Sequence, residues 1–274
     1  MTEHDVKIYD SDKTKSLFIE EIKAVFQYKD MLGQLVKRDI VARYKRSSLG
    51  VLWTMLNPLG TMIILTVVFS RMFDMRGVYP AYIISGLIYW NFFAQSTTFS
   101  LNTTLRGSEL FDRIYLPHTS FVISVILGGL INLMLSLVPM GLIFLVLKIQ
   151  FHPPALLLPF AILLLAMFTL GFSLLVSTVA VFFPDVGEFF PVLLQAWLYL
   201  TPIIYPKALL QDVLNGLILK INPLYYFINV MQKLLYEGVF PTAIDWLIAI
   251  IIASAMLLIG WQVFTSKSRL FGYQ

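Results

Sequence analysis

The sequence predicts an all-α integral membrane protein with six transmembrane helices, and three observations predict it. The chain of 274 residues is 58% hydrophobic and 13% charged, against about 25% charged in an average soluble domain. That leaves too little polar surface to cover a water-soluble globule. Six stretches of at least 18 residues (47–70, 77–105, 114–147, 149–184, 189–206 and 246–266) contain no Asp, Glu, Lys or Arg, and a spanning helix needs about 20 mostly apolar residues. Their Leu, Ile, Val and Phe content lacks the alternation of a membrane β-barrel.

Residues 1–50 read as a cytoplasmic arm. They hold ten of the 20 Lys/Arg and eight of the 16 acids. The basic excess gathers just ahead of the first apolar run, at Lys37, Arg38, Arg43, Lys45 and Arg46. Each basic residue beside an anionic bilayer surface is worth about 1 kcal/mol, so this clustering points to membrane lipids rather than nucleic acid. The first long apolar run begins near Val51, too late for a cleavable signal peptide. Between residues 18 and 46, Phe18, Ile22, Val25, Phe26, Leu32, Leu35 and Ile40 recur at helical spacing among charges. This is an amphipathic helix, lying on the inner membrane surface or packed on its own protein.

Residues 51–266 form the transmembrane domain, with spans expected near 52–72, 80–100, 119–146, 156–182, 188–205 and 244–264, followed by a cytoplasmic tail at 267–274. Six spans put both termini on one side. With the N-terminus inside, the inner segments hold fourteen Lys/Arg and the outer ones six, as the positive-inside rule asks. Pro153 and Pro154 cannot continue a helix and turn the chain between the third and fourth spans. The stretch 206–243 has apolar patches broken by Gly216 and by Asn222-Pro223, each too short to span. Re-entrant or interfacial helices fit it, and irregular backbone at membrane depth survives only under protein or in a water-filled cavity.

Enzyme chemistry finds no footing. There is no GxxxxGK[ST], GxSxG or HExxH, no cysteine, and no ligand spacing among His4, His118 and His152. No metal site, catalytic residue or bound cofactor is expected. The cores of the six spans carry no ionisable side chain, which disfavours ion-coupled transport. Aromatics make up 15% of the chain. "YWNFF" brings Tyr89, Trp90 and Phe93 into the second span, and "QAWLYLTPIIY" brings Trp197, Tyr199 and Tyr205 into the fifth. Rings with polar tips stack on sugar faces while donating hydrogen bonds to hydroxyls, although aromatic belts at the two interfaces are ordinary. Asn91, Gln95, Ser96, Thr97 and Thr98 need partners in hydrocarbon, so their helix faces protein or a hydrated path. "TLRGSELFDRIYLP" (104–117) sets Arg106, Glu109, Asp112 and Arg113 between two apolar runs, with Phe111 and Tyr115 on an apolar face and Ser108 as an N-cap. It reads as a short amphipathic helix or as a solvated loop.

Three stretches carry a family resemblance: "LVKRDIVARYKRSSLGVLWTMLNPL" (35–59), "FFPDVGEFFPVLLQAWLYLTPIIYP" (182–206) and "INPLYYFINVMQKLLYEG" (221–238). In this order the chain resembles the membrane subunit of ABC-2 type ABC transporters, specifically the bacterial exporters of O-antigen, capsule and teichoic acid. Pro184 stands before Asp185 where that family often has Arg. The resemblance implies six helices per subunit, a homodimer, and a cytoplasmic ATPase dimer that binds ATP and Mg. It implies a lipid-linked polysaccharide moving outward across the inner membrane past the aromatic residues, with 206–243 capping the exit. It also implies that the island 104–117 is a coupling helix, docking the ATPase through Arg106, Glu109, Phe111, Asp112, Arg113 and Tyr115. Two readings compete. One is export of a small drug or lipid. The other is a membrane-embedded enzyme built on Asp185 and Glu188, which lack metal or phosphate partners.

Overall fold

The computed structural model describes residues 21, 23, 25, 27–45, 49–73, 75, 77–106, 117–211 and 216–268. Every regular element among them is helical. Helix α1 (Lys29–Tyr44) precedes α2 (Leu52–Phe69), α3 (Tyr79–Arg106) and α4 (His118–Val146). A 3₁₀ turn at Pro153–Leu157 opens into α5 (Leu158–Phe182). Prolines sit well there, since the first turn leaves its N–H groups unpaired in any case.

Helix α3 is the axis of the fold. It packs against α2, α4, α5 and the later helices Asp185–Tyr199 and Pro223–Gln232, and every residue from 81 to 90 is buried. Its seat inside protein explains why it tolerates the buried hydroxyls of Ser96, Thr97 and Ser100, whereas Asn91 is half-buried and Gln95 exposed. By length and composition α2, α4, the Pro153–Phe182 unit and α10 (Ala243–Lys267) are apolar enough to cross a bilayer. With 28 residues, α3 is longer than the 80–100 expected of it.

Helices α5 and α10 make the most extensive contact. A Cβ at Gly171 would stand 2.3 Å from the Met256 carbonyl oxygen, and one at Gly260 2.0 Å from that of Gly171. The two backbones therefore touch, as small residues at membrane-helix crossings allow.

One expectation is narrowed and one changes. The N-terminal helix packs on protein in part: Leu35 is buried with Phe121 of α4 and Tyr28 packs beside them, while Met31 and Val41 stay exposed. Helix α6 (Asp185–Tyr199) starts three residues earlier than expected and ends six residues earlier, with 15 residues in all. Pro202 supplies the reason, because it offers no N–H to the carbonyl four residues back and biases Thr201 away from helix. Residues 201–206 are irregular. The segment 206–243 then breaks into α7 (Ala208–Gln211), α8 (Leu217–Ile221) and α9 (Pro223–Gln232), with a π turn at Lys233–Glu237. Leu224, Phe227, Ile228, Val230 and Met231 of α9 belong to the main core.

Candidate translocation cleft

A cleft of about 420 Å³ opens between α2, α3 and α4, in the half of the bundle nearer α1. Trp53, Thr54, Asn57 and Pro58 line it from α2, Asn91, Gln95, Ser96 and Phe99 from α3, and Asn132 and Ser136 from α4. None of its lining residues is charged. Local sequence explains one wall. Pro58 lies inside α2 and has no N–H for the Thr54 carbonyl. The Ser136 hydroxyl donates to that carbonyl at 3.1 Å, shared with Asn132 O at 2.9 Å. A hydroxyl of α4 thus completes the backbone of α2. Gly129 makes room for α3, since a Cβ there would sit 2.3 Å from Ser96 Oγ.

The structure sorts the polar run of α3. Asn91, Gln95 and Ser96 face the cleft. Thr97 and Thr98 turn back, donating to the Phe93 and Ala94 carbonyls at 2.8 Å each. The aromatic candidates divide as well. Tyr89, Trp90 and Phe93 are buried inside the subunit, where Phe93 packs against Phe168, Phe172 and Trp197 with centroids 5.3–5.8 Å apart. Trp197 is half-buried, its indole N–H donating to Asn222 Oδ1 at 2.8 Å. Tyr199 is exposed, and its carbonyl accepts from the Tyr205 hydroxyl. Of the aromatic candidates, none lines the cleft; Gln95 does.

A second polar assembly lies where α6 ends. Asn222 Oδ1 accepts from Trp197 and from the Leu224 amide at 3.1 Å. Its Nδ2 donates to Leu200 O at 3.1 Å and Thr201 Oγ1 at 2.8 Å. Tyr79 donates to Ile204 O at 2.6 Å, and Tyr82 reaches Pro202 O and Tyr205 O at 2.9 and 2.8 Å. The irregular 201–206 segment therefore has its freed carbonyls satisfied by side chains, as a buried break requires. Beyond it, Lys207 pairs with Glu237 at 2.8 Å and Lys233 with Asp245 at 2.6 Å. Asp245 also closes a capping box with Thr242 at the start of α10.

Among the basic candidates, Lys37, Arg38 and Lys45 are exposed, and Arg38 pairs with Asp39 at 2.8 Å. The backbone of Arg43 falls in α1. Arg46, Glu109, Phe111, Asp112, Arg113 and Tyr115 lie outside the described residues, and Arg106 is described only as the last backbone position of α3. Asn57, Asn132 and Ser136 were missed by sequence reasoning, although an amide beside a mid-helix proline, and an amide four residues before a serine in an apolar run, were signals for them.

Residues 31–236 match the family described as ABC-2 type transporter. The chain belongs to the ABC-2 type transporter family. It is 27% identical over 256 residues to the O-antigen export system permease protein RfbA of Myxococcus xanthus, covering 92% of this chain and 98% of that protein. A protein of the same name from Klebsiella pneumoniae is 29% identical over 215 residues, covering 76% of this chain and 81% of its own length. This ABC-2 chain is thus a multi-pass membrane transport subunit. Its family match runs through the cleft and the Asn222 assembly, and stops before α10.

Proposed function

We propose that the chain is the channel-forming subunit of an ATP-driven exporter that moves a lipid-linked polysaccharide of the O-antigen kind outward across the bacterial inner membrane. The near full-length similarity to the Myxococcus xanthus O-antigen permease carries this reading. The uncharged, amide-rich cleft supports it, because it offers no ion-coupling group and several partners for hydroxyls. The subunit works as a homodimer, crosses the membrane six times with α3 and α6 included, and keeps both termini inside. Energy comes from a cytoplasmic ATPase dimer that binds ATP and Mg; this chain binds no cofactor.

The test is co-expression with a candidate ABC ATPase subunit in a strain lacking its own O-antigen exporter. Surface glycan should appear only when both proteins are present, and the two should co-purify. Glycan export that persists without the ATPase would end this reading. Coupling is read separately. Phe111→Ala and Arg113→Ala should leave the complex assembled and hydrolysing ATP while transport falls at least about tenfold.

A further inference from the structure

Resting on that reading, we propose that the cleft between α2, α3 and α4 is a binding site for an uncharged sugar residue of the exported glycan. The side chains of Asn57, Asn91 and Gln95 reach this cleft from two helices and make no hydrogen bond among the described residues. Ser96 lines the same cleft and is 2% exposed, its Oγ buried beside Gly129 without a hydrogen-bond partner. Lipid acyl chains satisfy none of these groups, and polar atoms left unpaired in an apolar medium are costly. The arrangement therefore calls for an occupant rich in hydrogen-bonding groups.

The chemistry of the lining narrows the occupant. A carboxamide both donates and accepts, as does a hydroxyl, so amides on facing helices match the vicinal hydroxyls of a sugar ring. No Lys, Arg, His, Asp or Glu is among the lining residues. An anionic sugar or a lipid pyrophosphate would enter without a counter-charge, at a heavy desolvation cost. The indole of Trp53, 47% exposed at the cleft, supplies a flat apolar surface for the C–H face of the ring. The volume of about 420 Å³ lies in the range of small-molecule pockets.

The permease–ATPase complex, reconstituted in nanodiscs, is titrated with maltohexaose as a neutral probe and with hexagalacturonate as a charged one. The signal is the tryptophan emission that Trp53→Phe removes. Maltohexaose should give a saturable change and hexagalacturonate none, and Asn91→Leu/Gln95→Leu should raise the apparent Kd at least about tenfold. In cells the same double variant should export less than about a tenth of the wild-type glycan while still co-purifying with the ATPase. If it fails to assemble, Gln95→Leu alone should weaken maltohexaose binding about threefold or more. No saturable response to maltohexaose, an equal response to hexagalacturonate, or unchanged export by an assembled double variant overturns the proposal and leaves the cleft filled by water only. A wild-type pair that exports no glycan overturns the function reading instead, and the maltohexaose titration still decides the cleft.

Discussion

Pro58 and Ser136 show how single residues set the cleft. The proline removes the donor owed to the Thr54 carbonyl, and the serine supplies another from α4 at 3.1 Å. Ser136→Ala should therefore leave a carbonyl unpaired and cost about 1–3 kcal/mol. In a Pro58→Ala background the restored N–H pairs with Thr54, so the same serine change should cost less. A double-mutant cycle on the thermal stability of the detergent-solubilised protein measures that difference; full additivity would deny the link. Glu21 is a second residue-scale case, outside the spans. Burial pushes its carboxyl above the usual carboxylate range, and the nearby Thr119 hydroxyl only partly opposes that. A raised value in the docked state means docking favours the proton. This contribution is complete below the ordinary carboxylate value and is lost as pH rises through the raised one. After correction for intrinsic rates, amide protection over α1 should be greater at pH 5 than at pH 8. Glu21→Gln should flatten that difference.

At the scale of elements, the α5–α10 crossing is the most demanding contact, because backbone meets backbone at Gly171 and Gly260. Gly171→Ala or Gly260→Ala would place a methyl 2.0–2.3 Å from a main-chain oxygen, and no rotamer relieves that clash. Each should lower the yield of folded protein severely, by fluorescence-detected size exclusion. Gly141→Ala on α4, with nothing within 4 Å of its added methyl, should be neutral or slightly stabilising, since Ala is the better helix former by about 1 kcal/mol. The sequence revealed which elements exist, because long uncharged runs have few other solutions. It was less informative about faces. Tyr89, Trp90 and Phe93 look like ligand-facing rings when read along "YWNFF", yet ten consecutive buried positions (81–90) put this turn of α3 among its neighbours. Helical period cannot tell a lipid face from a protein face when both are apolar. The end of α6 was misplaced for a related reason. An apolar run continues through Leu200 to Ile204, but Pro202 and the side chains of Tyr79, Tyr82 and Asn222 hold that backbone in a buried, non-helical path.

For the whole molecule, the unresolved demand lies on α6. Fifteen residues make a helix of about 22 Å, shorter than the roughly 30 Å hydrocarbon core. Its outward side carries Phe189, Val192 and Tyr199, each more than half exposed, together with the exposed amide of Gln195. Lipid would suit the first three and leave the amide unpaired. A second copy of the chain, as in the homodimer proposed above, would accommodate all four, and a two-fold axis beside α6 would bring Val192 close to its counterpart. The chain has no cysteine, so single-cysteine variants report without background. Val192→Cys should form a disulfide-linked dimer on mild oxidation in native membranes, which requires Cβ atoms about 3.5–4.5 Å apart. Val146→Cys, exposed at the end of α4, should stay monomeric under the same treatment. If neither Val192→Cys nor Gln195→Cys crosslinks while the complex with the ATPase remains intact, the α6 face belongs to lipid and a homodimer through α6 is excluded.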